Sequence, residues 1–255
     1  MESLSGHSAI ISGALGDIGR AIALELARCG AAVALGDIVE QRRAAPLLNE
    51  LKRIGIGARY DRVDVSDAKA VQRWIDVASR ELGALDIVIP NAAIVTPKNA
   101  RVVTPREFTR ELRINLDGAF FLAQAGALAL VRKKKPGRIV YVGSWAGHAP
   151  HANIPAYCAA KAGLRMACQC LALEFAPDGI LVNEIAPGYV DAGLTGQFFK
   201  RDPKLREQLR LKVPVRKLIG AEEVARCAVS LCSFNSQHVT GSVLLMDGGL
   251  SLKRG

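Results

Sequence analysis

The sequence predicts an α/β fold built on a parallel sheet, and three observations carry that expectation. Short apolar runs alternate with longer stretches of helical period along the whole chain, which is the pattern of βαβ units. A glycine cluster, Gly13, Gly16 and Gly19, separates the first run from the first helical stretch, where a strand turns into a helix. Composition supplies the third: half of the 255 residues are apolar, 23% are charged, and 24 Gly and 11 Pro are spread along the chain. That balance argues against disorder and low complexity and provides for a sizeable core.

Taken in order, strands are expected at 9–12, 32–36, 58–63, 87–89, 138–142, 181–185 and 243–246, each a short run bounded by turn residues or polar ends. Helices are expected at 18–29, 40–54, 69–82, 105–132, 156–175 and 222–232. No repeat, linker or shift of composition marks a boundary, so residues 1–255 are expected to form one domain. One segment, 192–216, lies outside the alternation. Eight basic residues fall between Lys200 and Lys217 against only Asp202 and Glu207, and a long insertion after a parallel strand is where such sheets place ligands. It is expected to act as a substrate lid.

The formal charge of +10 favours acidic partners without specifying one. No recognisable nucleic-acid-binding module accompanies it, so no nucleic-acid partner is expected. Six cysteines without a framework of spacings, and no positive run in residues 1–8, point to reduced thiols in the cytoplasm. Cys168 and Cys170 are expected to be core thiols rather than metal ligands. The longest apolar stretch, 119–131, is interrupted by Gln124 and falls short of the roughly 20 residues a membrane span needs. No membrane span and no metal site are therefore expected.

The glycine cluster reads as Ser12-Gly13-Ala14-Leu15-Gly16-Asp17-Ile18-Gly19. Glycines there serve either a simple tight turn or a cradle in which phosphate oxygens meet backbone N–H groups at a helix N-terminus. Asp37 closes the second strand, 18 positions after Gly19. A carboxylate at that place accepts hydrogen bonds from adenosine ribose hydroxyls and repels a 2′-phosphate, or else caps the helix that follows. With Ile38 next in line and no basic residue in the glycine turn, the reading favours NAD(H), with NADP(H) possible should Arg42 or Arg43 reach back.

Tyr157 and Lys161 stand at i and i+4 of a predicted helix and so share a face. Ionising a phenol of pKa near 10 at pH 7 costs about 4 kcal/mol. An ammonium at roughly 5 Å, at an effective dielectric of about 20, returns about 3 kcal/mol. The pair is thus a usable acid and base for moving an alcohol proton. Ser144, 13 residues earlier at the end of a strand, would hold the substrate oxygen. His148 and His151 lie in the intervening loop and either contact substrate or are solvated, and Trp145 either walls the pocket or only packs.

These motifs occur in one order with Asp64-Val65, Asn91-Ala92-Ala93, Asn115, Asn183, Pro187-Gly188 and Asp247-Gly248-Gly249. The series resembles the short-chain dehydrogenase/reductase family over essentially the whole chain. The resemblance implies a Rossmann-like, doubly wound, seven-stranded parallel sheet of order 3-2-1-4-5-6-7 with helices on both faces, and a homotetramer. It implies Tyr157 as acid and base, Lys161 as its pKa-lowering neighbour and nicotinamide-ribose contact, Ser144 as substrate-oxygen donor, and Asn115 as support of a water-linked proton relay. Cofactor contacts are implied at Gly13, Leu15, Gly16, Asp17, Ile18, Gly19, Asp37, Ile38, Asp64, Val65, Asn91, Ala92, Ala93, Tyr157, Lys161, Pro187, Gly188 and Val190. The chain departs from the family's pattern at Asp17, Pro90, Ala93 and Ala192. Asp17 stands where glycine is usual and is expected to tolerate positive φ or cap the helix start.

The function these readings support is an NAD(H)-dependent oxidoreductase interconverting a secondary alcohol and a carbonyl on a small-molecule substrate. The alternatives are an NADPH-dependent 3-oxoacyl-(acyl-carrier-protein) reductase, permitted by the basic segment, and a catalytically silent cofactor-sensing binding protein.

Overall fold

The computed structural model describes residues 3–83, 85–196 and 202–252. Seven strands form one sheet: β1 (Ser8–Ser12), β2 (Ala32–Asp37), β3 (Ala58–Arg62), β4 (Ile87–Ile89), β5 (Gly137–Val142), β6 (Ile180–Pro187) and β7 (Val243–Met246). Their order is β3-β2-β1-β4-β5-β6-β7, and every pairing is parallel. The expected doubly wound, Rossmann-like sheet is therefore present. Starting from β1, the chain winds outward one way to β3 and then the other way from β4. The order reverses beside β1, which opens a crevice at the carboxyl ends of the strands.

The helices are α1 (Asp17–Arg28), α2 (Ala45–Ile54), α3 (Ala68–Glu81), α4 (Pro105–Leu112), α5 (Gly118–Lys133), α6 (Pro155–Phe175), α7 (Pro203–Lys212) and α8 (Ala221–Ser230). Successive side chains of a strand point to opposite faces, and that alternation divides the core. Ala9, Ile11, Val33, Leu35, Ile87 and Ile89 pack with α1, α2 and α8. Ile10, Ala34, Val88, Ile139, Tyr141 and Val182 pack with α3, α5 and α6. Because both faces are covered, the strands read as unbroken apolar runs rather than as alternating ones. Small residues let α5 approach closely: a Cβ at Gly126 would lie 2.6 Å from a Val88 methyl.

The expected helix over 105–132 is divided in the structure. A π-turn, Arg113–Asp117, separates α4 from α5, and such turns accompany functional positions because they re-aim one side chain. Here the side chain is Asn115. The stretch Pro105–Lys133 is long and apolar enough to cross a membrane by length and composition, yet 56% of its most apolar window is buried, as in a core helix. Cys168 is fully buried, as expected, but Cys170 is exposed. Two positions on a helix turn through roughly 200°, so only one of the two can face the sheet.

Candidate active site

The crevice is a cleft of about 770 Å³ along the strand ends, within the range of small-molecule and cofactor sites. At one end β1 runs into the glycine turn. Gly13 has φ +63, and a Cβ there would lie 2.8 Å from Ala92 Cα. A Cβ at Gly19 would collide with the Gly13 carbonyl. Gly16 is the N-cap of α1 in ordinary extended geometry, with no side chain capping the helix, so the first amides of α1 present an anion-favouring end to the cleft. Ser12 Oγ accepts from the amides of Asn91 (3.0 Å) and Ala92 (3.1 Å), and Asn91 Nδ2 donates to the carbonyls of Ser12 (2.9 Å) and Gly13 (3.1 Å). The loops after β1 and β4 are thereby locked together.

Asp37 does not cap a helix. Its carboxylate accepts from Leu15 N (3.1 Å) and Ile38 N (2.8 Å), joining the end of β2 to the glycine turn. Asp17 differs from expectation. It is the first residue of α1, neither the N-cap nor in positive φ, and its carboxylate accepts from Gly193 N at 2.7 Å. The helix already has Gly16 as its cap, so the Asp17 side chain is free to tether the segment after β6. Asp64 and Val65 line the cleft, and Asp64 is turned onto Ser66 N and Oγ at 2.9 and 2.7 Å.

At the other end, β5 runs into Gly143 and Ser144. Ser144 is extended, and its Oγ accepts from Ala146 N at 3.1 Å, starting the tight turn Trp145–Gly147. Pro155, tolerated in a helix's first turn because its missing N–H has no partner there, opens α6, and α6 carries Tyr157 and Lys161 to the cleft. Lys161 is buried; Nζ donates to Val142 O at 2.7 Å and lies 5.7 Å from the Tyr157 ring centroid. Burial pushes the Tyr157 phenol up to about 12, with the Ser144 hydroxyl pulling it back and the charge of Glu111 adding to the rise. Burial also pushes Lys161 down to about 8, against the charge of Glu184. The charge arithmetic made from the sequence omitted this desolvation, which is the largest influence on the phenol here and raises it.

Every residue named above as a cofactor contact lines this one cleft, as do Ser144, Tyr157 and Lys161. Asn115 does not. It is fully buried behind the wall, where Oδ1 accepts from Ile94 N and Nδ2 donates to Ile94 O, both at 2.8 Å. Pro187 ends β6, and Gly188 and Val190 follow it, with Val190 bridged to Ile219. Asn183 is structural in its contacts, donating to Val239 O (2.7 Å) and accepting from Ser242 N (3.1 Å).

The structure places two residues that the sequence left open and adds a third that the sequence reading missed. Trp145 stands edge-on to His151 and Tyr189, at centroid distances of 4.2 and 5.2 Å, and makes an aromatic wall beside Ser144. His151, expected as a solvated loop residue, lines the cleft with Nδ1 2.7 Å from Ala149 O. Glu111 is fully buried, with one oxygen accepting from Thr96 N (2.9 Å) and the other without a partner among the described residues. Trp145 and His151 were marked in the sequence by their place in the loop after Ser144, whereas Glu111 gave no signal there. In the segment after β6, Arg206 pairs with Asp191, and Arg210 with Glu207 at 2.8 Å. Lys200 and Arg201 lie outside the described residues. No group of three or more metal-ligating side chains occurs among the described residues.

A glycine-lined helix start, a carboxylate at the end of the second strand, and a serine, tyrosine and lysine at the same crevice define a nicotinamide-linked oxidoreductase of the doubly wound type. A family model described as enoyl-(acyl carrier protein) reductase matches residues 13–251. A cis-4-hydroxycyclohexanecarboxylate dehydrogenase of Sinomonas cyclohexanicum is 34% identical over 97% of this chain and 98% of its own. Among solved structures, an Agrobacterium tumefaciens protein with bound NADP superposes with a TM-score of 0.90 at 29% identity, covering 98% of each chain. A xylitol dehydrogenase with bound NAD+ gives a TM-score of 0.90 at 30% identity, over 97% of this chain and 100% of that one. The chain belongs to the short-chain dehydrogenase/reductase family.

Proposed function

We propose that this chain is an NAD(H)-dependent oxidoreductase that interconverts a secondary alcohol and a carbonyl, with Tyr157 as its acid and base. One observation carries the reading: a single cleft has the glycine turn and Asp37 at one end and Ser144, Tyr157 and Lys161 at the other. The residues fit a nicotinamide dinucleotide, since Gly13 and Gly19 let the turn close tightly against Ala92 and its own backbone, which leaves main chain facing the cleft, and the uncapped start of α1 favours an anion. Residues 13–19 would take the pyrophosphate, Asp37 and Ile38 the adenosine ribose, and Asp64 and Val65 the adenine. Asn91, Ala92, Ala93, Pro187, Gly188 and Val190 would flank the nicotinamide. When bound, that group supplies or accepts the hydride at the carbinol carbon.

The remaining steps belong to the chain's own side chains. Ser144 Oγ donates to the substrate oxygen and holds it beside the Tyr157 hydroxyl. In reduction Tyr157, neutral at physiological pH because burial holds its proton, gives that proton to the forming alkoxide. In oxidation it must first lose it, so the oxidative direction gains with rising pH. Lys161 stands behind the ring as the cation that favours this loss, and Asn115 fixes the Ile94 wall beside it. Trp145, His151 and Tyr189 exclude water from one side of the reacting carbon.

Asp37 supports NAD(H), because its carboxylate stands where a 2′-phosphate would have to enter. Arg43, on the rim of the same cleft, is the side chain that would favour NADP(H) instead. The alternative of an NADPH-dependent 3-oxoacyl-(acyl-carrier-protein) reductase has the family model's description in its favour. Against it stand Asp37 and the pairing of Arg206 and Arg210 with carboxylates, which lowers the basic segment's appeal to an acidic carrier. A homotetramer is supported by exposed Leu128 on α5 and exposed Met166 and Leu173 on α6, and light scattering tests it. Six unpaired cysteines suit the cytoplasm, which fractionation tests.

The decisive experiment is a panel of secondary alcohols with NAD+ reduction followed at about pH 8 to 9, where more of the phenol is in its base form than at neutral pH. Turnover by the native chain and its loss in Tyr157→Phe support the proposal. Equal turnover in that variant overturns it.

A further inference from the structure

Behind Ser144, on the face of the sheet that α6 covers, lies a charged cluster that the reaction above does not use. Glu184 of β6 pairs in register with Tyr141 of β5, so the two side chains stand on the same face as neighbours. Both are fully buried. From α6, Arg165 brings Nε to 3.4 Å from the Glu184 carboxylate, while its Nη1 donates to Gly147 O at 2.9 Å. The Glu184 carboxylate faces the Arg165 guanidinium and the Ser144 amide, while Tyr141 Oη has no hydrogen-bond partner among the described residues. A Cβ at Gly143 would fall onto the carboxylate. Glu184 therefore presses on the residue between Val142, whose carbonyl takes the Lys161 ammonium, and Ser144.

We propose that Glu184 is the buried counter-ion of Lys161: its carboxylate, steadied by Arg165, keeps the ammonium charged in a dry interior and so sets the pH range over which Tyr157 has a cationic partner. An isolated ion at such depth costs several kcal/mol to desolvate, and an isolated ammonium escapes that cost by shedding its proton. Glu184 is the one charge that opposes this at Lys161. In turn, burial pushes the Glu184 carboxyl up, and the guanidinium of Arg165 followed by the ammonium of Lys161 pull it back. Two cations thus share one carboxylate.

The other titratable groups facing the cluster leave that balance alone. Tyr141 on β5 and Cys168 on α6 are pushed up by burial and stay neutral. Tyr157 is held neutral by burial. His148, in the loop after Ser144, is held down by burial and by the charge of Arg165. Glu111 of α4 acts on Tyr157 rather than on Lys161. Glu184 is a positioning residue, acting through Lys161, and Arg165 has a second task in tying down the turn that follows Ser144.

The inference rests on the reading of Lys161 given above, but its test needs no substrate. Lysine labelled with 13C at Cε is followed by NMR across pH in the full chain, with the Lys161 signal assigned by its loss in Lys161→Met. In the native sequence Lys161 is expected to titrate near pH 8. Glu184→Gln should lower that midpoint by about one pH unit or more, as loss of a nearby opposite charge does, and Glu184→Asp should restore most of it. If Glu184→Gln does not fold, the double variant Arg165→Leu/Glu184→Leu, an apolar replacement that buried ion pairs tolerate, must show the same lowering. An unmoved midpoint overturns the inference. In turnover assays Glu184→Gln should lose more activity at pH 9 than at pH 6, whereas an equal loss at both speaks for a merely structural residue and against the proposal. Absence of turnover by the native chain overturns the functional reading alone, because the midpoint is read without substrate.

Discussion

The two ends of the cleft are made of different materials. At the glycine end the surface is mostly main chain: close-approach positions at Gly13 and Gly19, the open start of α1, and an Asp37 carboxylate already holding two amides. At the tyrosine end it is side chain, and the side chains are displaced from their ordinary proton affinities, Tyr157 upward and Lys161 downward. Main-chain amides recognise an anion by position alone, so that end needs no change of charge state when a ligand arrives. Proton transfer needs groups whose charge state is poised, and poise comes from burial and incomplete pairing. The stable end binds and the unsettled end reacts.

The sharpest way to break this contrast is to disable each end separately. Tyr157→Phe removes one oxygen from the tyrosine end and is expected to lower turnover by roughly 10²- to 10⁴-fold, the usual worth of a positioned acid or base. Cofactor affinity, measured by quenching of protein fluorescence or by calorimetry, should stay within about twofold, since the binding surface at the other end is untouched. Gly19→Ala should do the reverse. Its new methyl has to push the Gly13 carbonyl aside, so the cofactor dissociation constant should rise at least about tenfold, while turnover at saturating cofactor changes much less. Should Tyr157→Phe bind cofactor as poorly as Gly19→Ala, the division of labour fails.

The same contrast explains what the sequence disclosed. Glycine, strand-end aspartate and a tyrosine four residues before a lysine are local patterns, and local patterns place the turn, the ends of β2 and β5, and one face of α6. The sheet order required the family resemblance, because nothing in the strand lengths says that β4 lies beside β1. The cluster behind Ser144 was unreadable for a further reason. Glu184 meets Tyr141 through sheet register and meets Arg165 through the packing of α6, contacts separated by tens of residues in the chain. One sign was present: a glutamate inside the apolar run of β6 is a charge in a strand covered on both faces, which demands a partner. The π-turn at Asn115 was hidden as well, since a helical period continues unbroken through it.

A smaller effect is expected within the glycine end itself. Asp37→Ala removes the carboxylate that would repel a 2′-phosphate while leaving Arg43 on the rim. The ratio of NAD to NADP affinity should fall about tenfold or more, a charge effect of ordinary size for a partly buried site. Loss of the Leu15 amide bond should weaken binding of both cofactors to a similar extent. A ratio that does not move would mean that the glycine end discriminates by shape alone. The pH dependence separates the directions: because the phenol keeps its proton well above neutrality, oxidation should climb from pH 6 and level off as Lys161 loses its proton near pH 8, whereas reduction should only fall over that range.

The smallest expected effect belongs to Asp17, where side chain and main chain meet at the start of α1. Its carboxylate is a side-chain anion set at the start of α1, beside the amides that would receive a pyrophosphate, and it spends itself on Gly193 N at 2.7 Å. It therefore holds the segment after β6 against the glycine turn and, by its charge, opposes an incoming phosphate. Asp17→Asn keeps an oxygen for Gly193 and removes the charge. Cofactor should bind roughly two- to fivefold tighter, the worth of one exposed charge at a helix end, and the gain should shrink as salt is added. Asp17→Ala removes the charge and the tether together, so its affinity should exceed that of the native chain by less than Asp17→Asn does, and protease should cut the 192–216 segment faster. Equal affinity in all three forms would show that the carboxylate is screened from the phosphate site and that the helix start is main chain in effect as well as in geometry.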